Sequence, residues 1–161
     1  MRGKRRQPDT EVSERTLKNR KVVNSHLKRM SQAVGKDLTL GVEGICYFQY
    51  KKFIIVIEVP DDESNHFFIY TMVCQLLSDD ASRADVLQAA MQLNYMQQGT
   101  RGACLGLEDD EVNLCYSAPV NNLCRDDFVK CLEDFLRTAE ELNQNLEQVK
   151  TKTHPTKESP I

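Results

Sequence analysis

Six cysteines and three histidines are the residues best equipped for chemistry, and their spacing argues against most of it. No Cys-x-x-Cys pair occurs, and no Cys/His grouping has the spacing of a zinc site. His26, His66 and His154 are scattered, with no Ser, Cys or Asp placed to complete a triad or dyad. A thiol enzyme would need a cysteine beside a base, and no local pattern supplies one. The acidic runs Asp61, Asp62, Glu63 and Glu108, Asp109, Asp110, Glu111 lack the pattern of an EF-hand loop. They fall where turns favour polar residues and read as solvated turns. Gly99-Thr100-Arg101-Gly102 lacks the glycine density and Lys-Ser/Thr of a phosphate loop, so Arg101 is expected to cap the carbonyls of a preceding helix. The reading is a chain with binding surface, no catalytic residue, no metal site and no cofactor.

One cysteine pair stands apart. If Asp109 and Asp110 form a two-residue hairpin loop, Leu107 faces Val112, Leu105 faces Leu114 and Ala103 faces Tyr116, all on one side. The other side carries Cys104, Gly106, Glu108, Glu111, Asn113 and Cys115 and is mostly polar. Cys104 and Cys115 then sit directly opposite, close enough to admit a disulfide. The plainer reading, two small thiols reduced in a cytosolic protein, is preferred to a redox-sensitive staple. Cys124 and Cys131, two helical turns apart at roughly 10 Å, are too distant to bridge.

The elements around this hairpin follow from periodicity. A first helix is expected from about Ser13 to Val34, with Val23, Leu27, Met30 and Val34 on one stripe and Gly35 as its stop. Lys51 and Lys52 form a turn that sets Phe48 against Ile55, Tyr47 against Val56 and Cys46 against Ile57. One face of that hairpin holds Cys46, Phe48, Tyr50, Phe53, Ile55 and Ile57, and the other holds Ile45, Tyr47, Gln49, Ile54, Val56 and Glu58. Both faces are largely apolar, and helices on one side cover only one of them, so the other must be covered by another element, a second subunit or a bound partner chain. His66 to Leu76 reads as a third strand, again apolar on both faces. A second helix is expected over residues 83–97, capped by Asp80 or Ser82, with Gly99 and Gly102 supplying a permissive corner. Its wide apolar arc suggests contact on two sides, one of them a second subunit. Asn121 or Asn122 caps a long last helix striped by Phe128, Leu132, Phe135, Ala139, Leu142, Leu146 and Val149. The order α-β-β-β-α-β-β-α gives an α+β fold, an antiparallel sheet with helices packed on it.

At 161 residues the chain reads as one domain, 13–149, between a disordered basic arm, 1–12, and a disordered polar tail, 150–161. No apolar run is long enough to span a membrane, and the basic N-terminus lacks the apolar stretch of a secretory signal, so a cytoplasmic location is expected. Residues 1–36 hold eleven Lys/Arg against three Asp/Glu, whereas the remainder holds ten against 21. An acidic body with a basic arm leaves open nucleic-acid binding, which the absence of an RNP-type motif disfavours.

The central stretch resembles the class I type III secretion chaperones, the CesT or Tir-chaperone family. The likeness rests on Leu87 to Asn94 (LQAAMQLN), Thr100 to Leu107 (TRGACLGL), the strand Glu111 to Pro119 and the last helix (LEDFLRTAEELNQNL). It covers about Leu17 to Val149. It implies an acidic cytosolic homodimer without ATPase activity that holds the N-terminal segment of a secreted effector in extended form. The client would lie along apolar grooves of the first helix and first three strands, and Leu27, Met30, Tyr47, Ile54, Val56 and Phe68 are the expected contacts. The middle helix would supply the dimer interface through Leu87, Met91 and Tyr95. The fold also occurs in YbjN-like regulators, so a nucleic-acid-binding or regulatory role using the basic arm is the alternative.

Overall fold

The computed structural model describes residues 12–62 and 64–153, the side chains of 33, 34 and 153 excepted. The basic arm up to residue 11, the end of the tail with His154, and Glu63 lie outside the described residues. Helix α1 spans Glu14–Val34, followed by strands β1 (Ile45–Tyr50), β2 (Phe53–Glu58) and β3 (His66–Gln75). Helix α2 (Asp80–Asn94) leads through a 3-10 turn at Tyr95–Gln97 to β4 (Cys104–Glu108) and β5 (Glu111–Pro119), and α3 (Arg125–Thr153) closes the chain. The five strands form one antiparallel sheet in the order β1-β2-β3-β5-β4. The expected α+β architecture is the one observed.

Both hairpin registers match the sequence reading. Lys51–Lys52 turns β1 onto β2 with Phe48 against Ile55 and Tyr47 against Val56. Asp109–Asp110 turns β4 onto β5 with Leu105 against Leu114 and Leu107 against Val112. Glu108 stays opposite Glu111, so the like-charge pair is kept, at an exposed hairpin end. The expected Ala103–Tyr116 pair falls outside the ladder, because the Ala103 N–H donates instead to the Thr100 carbonyl at 3.0 Å.

The core lies between the sheet's inner face and the helices. Phe53, Ile55, Ile57, Phe67, Ile69, Val112 and Leu114 meet Phe128, Leu132, Phe135, Ala139, Leu142 and Leu146 of α3, together with Val23 and Leu27 of α1 and Val86 of α2. At its centre the Phe128 ring lies 5.6 Å from Phe67 and 5.4 Å from His26. His26 is buried and its Nε2 donates to the Leu123 carbonyl at 3.2 Å, a structural role. Helix α3 continues to Thr153, so residues 150–153 extend the helix rather than begin the tail. Lys150 there donates to the Gln75 carbonyl at 3.1 Å.

Irregular backbone is tied down by buried side chains. Arg20, 8% exposed, donates to the carbonyls of Val42, Glu43 and Val59, fixing the approach to β1 against the end of β2. Gly44 passes beneath it at φ 82°, where a Cβ would lie 2.5 Å from both Arg20 Nε and the Val59 oxygen. A bulge in β3 between Met72 and Cys74 frees the Val73 carbonyl, and buried Asn143 donates to it at 2.7 Å.

Several boundaries differ from expectation, each for a tertiary reason. Helix α2 starts three residues early because Asp79, not Asp80 or Ser82, accepts the Ser82 N–H at 2.8 Å. It also ends three residues early. Asn94 turns out to hold β4, accepting the Leu105 N–H at 2.7 Å and donating to the Leu105 carbonyl at 2.8 Å. The corner's left-handed positions fall on Met96, Gln97, Arg101 and Gly102. Gly99 serves close approach instead, since a Cβ there would sit 2.8 Å from Leu93 Cδ2. Arg101 caps no helix carbonyl but reaches α3, pairing with Glu141 at 2.7 Å and Thr138 at 2.9 Å. Helix α3 is capped by Cys124, whose carbonyl accepts the Phe128 N–H and whose Sγ accepts the Asp127 N–H, rather than by Asn121 or Asn122.

Two outcomes follow from these contacts. Asn94→Ala leaves a strand N–H and carbonyl without their partner and lowers unfolding free energy by about 2 kcal/mol, read from urea denaturation. Burial, with Cys131 adding to it, pushes the Tyr116 phenol from 10.0 up to about 12. The unfolded chain ionises first, so this contribution is intact below the unfolded value and is lost as pH rises through about 12. Tyr116→Phe reduces the alkaline loss of stability in a thermal-melt series across that window.

Candidate functional site

All three helices pack on the inner face, and the outer face of the sheet is left open. Strand alternation places Ile45, Tyr47 and Gln49 of β1 there, with Ile54, Val56 and Glu58 of β2 and Phe68, Tyr70 and Met72 of β3. The ladder aligns them in rows. Tyr47 faces Val56, Val56 faces Tyr70, Tyr70 faces Cys115 and Cys115 faces Cys104, a continuous line across five strands. Tyr47 is 73% exposed, Ile54 55% and Met72 42%, while Val56, Phe68 and Tyr70 are half-buried beside them. The Tyr70 hydroxyl donates to Glu58 Oε2 at 3.1 Å, and burial followed by the Glu58 charge pushes its phenol up to about 12.

Four of the six expected client contacts therefore converge on one surface: Tyr47, Ile54, Val56 and Phe68. The other two lie elsewhere. Met30 is half-buried on the helix side, lining a groove of about 490 Å³ between α1, β1 and α3 with Leu38, Phe48 and Leu136, rimmed by Arg29, Lys36 and Arg125. Leu27 has no exposed surface. Its place on the stripe of α1 puts it in the core, so packing is its role and it offers nothing to a client. Sequence reading passed over Tyr70 and Met72, although alternation from Phe68 reaches both.

A second apolar patch lies at the end of α2. Met91 and Tyr95, two of the three expected dimer residues, are 70% and 72% exposed. Leu87 is half-buried against the core. Met96 at 71%, next to Tyr95 in the chain, and Leu107 at 50% on β4 are further exposed apolar residues that the sequence reading does not include. The φ of 53° at Met96 belongs to the corner that follows Asn94, which no local sequence pattern announces.

Burial raises the thiols of Cys46, Cys74, Cys115 and Cys131, the opposite of an activated nucleophile. Among the described residues no group of three or more His, Cys, Asp or Glu could hold a metal ion. Among them, too, no helix is long and apolar enough to cross a membrane. What the outer face can do is bury apolar surface and, at the edge strand β1, offer backbone groups to an added strand.

Comparison with known proteins follows the same lines. No curated protein matches the chain in sequence. In structure it is similar to a chain of the ExsC–ExsE complex, at TM-score 0.66 and 16% identity, covering 79% of this chain and 95% of that one. It is similar to a chain of the HopA1–SchA chaperone–effector complex, at TM-score 0.60 and 16% identity, covering 80% and 97%. A third likeness, TM-score 0.56 and 14% identity over 79% and 96%, is to the heterodimeric ExoU–SpcU complex from the type III secretion system of Pseudomonas aeruginosa. Residues 25–143, which run from within α1 to within α3, match the Tir chaperone protein (CesT) family, and the chain belongs to that family.

Proposed function

We propose that the chain is a cytoplasmic homodimeric chaperone that holds an extended N-terminal segment of an effector-like client and catalyses no reaction. The observation that carries this reading is the uncovered outer face, where exposed Tyr47 stands in a row with Val56 and Tyr70, flanked on the same face by exposed Ile54 and half-buried Phe68. A monomer gains nothing by exposing such side chains, whereas a flexible segment laid across them removes them from water. Covering roughly 300 Å² of apolar surface gives about 7 kcal/mol gross, from which ordering the segment subtracts several. The likeness to chains from chaperone–effector complexes supports this choice of partner.

Client contact is assigned to Tyr47, Ile54, Val56 and Phe68, with Met30 in the separate groove as a further contact. Self-association is assigned to Met91 and Tyr95, supported at its edge by Leu87. The two surfaces lie on different elements, so a second copy need not displace a client.

Two measurements test the assignment. In pull-downs with cross-linking and peptide mapping, wild-type chain retains one protein through that protein's N-terminal segment. Tyr47→Asp and Ile54→Asp, both at exposed positions, lower its affinity at least tenfold with unchanged circular dichroism; undiminished capture contradicts the face. Binding that instead tracks nucleic acid and collapses with salt selects the regulatory alternative. In sedimentation velocity the wild type runs at twice the chain mass, and Met91→Glu with Tyr95→Glu shifts it to a monomer.

A further inference from the structure

At the far end of the exposed row stand two thiols. Cys104 and Cys115 are exact ladder partners on the outer face, Cys104 exposed and Cys115 half-buried. The two-residue loop closes on Glu108 and Glu111, and hydrogen-bonded pairs recur every second residue from there, so Cys104–Cys115 is such a pair. Its Cα separation is roughly 5.5 Å, inside the range a disulfide spans. The other thiols are placed differently: Cys46 and Cys74 are buried, and Cys124 and Cys131 are two turns apart along the last helix. Strand β4 is an edge strand that pairs with β5 alone, and it carries exposed Leu107.

We propose that Cys104 and Cys115 are a modification site for low-molecular-weight disulfides such as oxidised glutathione, closing reversibly to a cross-strand bond that staples β4 to β5. Cys104, the exposed partner, loses its proton and attacks one sulfur of the oxidant. The oxidant's S–S bond breaks, one glutathione thiolate leaves, and a mixed disulfide remains on Cys104. Cys115 then loses its proton and attacks Cys104 Sγ, expelling the second glutathione thiolate. The two released thiolates take up the two protons. The dithiol has been oxidised by two electrons, and the oxidant has become two thiols. Burial and the neighbouring Cys104 hold the Cys115 thiol up, which leaves less thiolate for the second step; its place directly opposite Cys104 on the ladder makes that step intramolecular. Exposure of Cys104 keeps the closed bond open to reduction. The proposal does not rest on the chaperone reading, and its test uses the chain without any client.

The experiment treats the full chain with oxidised glutathione and maps it by non-reducing proteolysis and mass spectrometry. The expected product is a linked Cys104–Cys115 peptide within one chain, lighter by two hydrogens and restored by dithiothreitol. Cys115→Ser stops at a glutathione adduct on Cys104. In the closed form, amide exchange in β4 slows about tenfold, because opening the edge now requires breaking a covalent tie. A persistent glutathione adduct on wild-type Cys104 overturns the proposal. So does a bond between two chains, a bond to another cysteine, or two thiols that do not react.

Discussion

The packing of α3 across the middle of the sheet is the interaction on which the rest depends. Phe128, Leu132, Phe135, Leu142 and Leu146 recur on one side of that helix and share one core with Phe67 and Ile69 of the central strand β3 and Leu114 of its neighbour β5. Each such side chain, fully buried, is worth about 1.5–3 kcal/mol relative to exposure. Helices α1 and α2 join the same side, α1 through Val23, Leu27 and the His26–Phe128 stack, α2 through Val86 and Ala90. With every helix committed to one face, the other is left to whatever the strands themselves present.

That commitment is secured by polar side chains at the places where regular hydrogen bonding fails. Arg20 gathers three carbonyls at the approach to β1, Asn94 pairs both backbone groups of Leu105, and Asn143 takes the carbonyl freed by the β3 bulge. Each replaces a backbone partner that a ladder or helix would have supplied, so none of these buried groups is left to water it cannot reach.

Much of this architecture is legible in the chain because short turns pin strand registers. Lys51–Lys52 and Asp109–Asp110 fix which residues face each other, and alternation does the rest. The surplus of apolar residues on both faces of β1 to β3 was likewise visible, and the structure shows which face the helices chose. Contacts made across long sequence separations were not visible. Arg20 is not one of the apolar residues that mark the stripe of the first helix, and nothing local announces its partners, which lie 22 to 39 residues away. Arg101 read as a helix cap, yet its partners are 37 and 40 residues on. The resemblance points Leu27 at a client, yet on the stripe of the first helix it is fully buried; periodicity gives direction, and burial depends on what arrives opposite.

The most direct measurement is methyl NMR on chain labelled at Ile, Val and Met, titrated with the N-terminal segment of a captured client. The account predicts shifts and reduced solvent accessibility centred on Ile54, Val56 and Met72, with the buried Ile55 and Ile57 little changed. Perturbation confined to Met91 and Met96, or none on β2 and β3, would contradict an outer sheet face made for an unstructured guest.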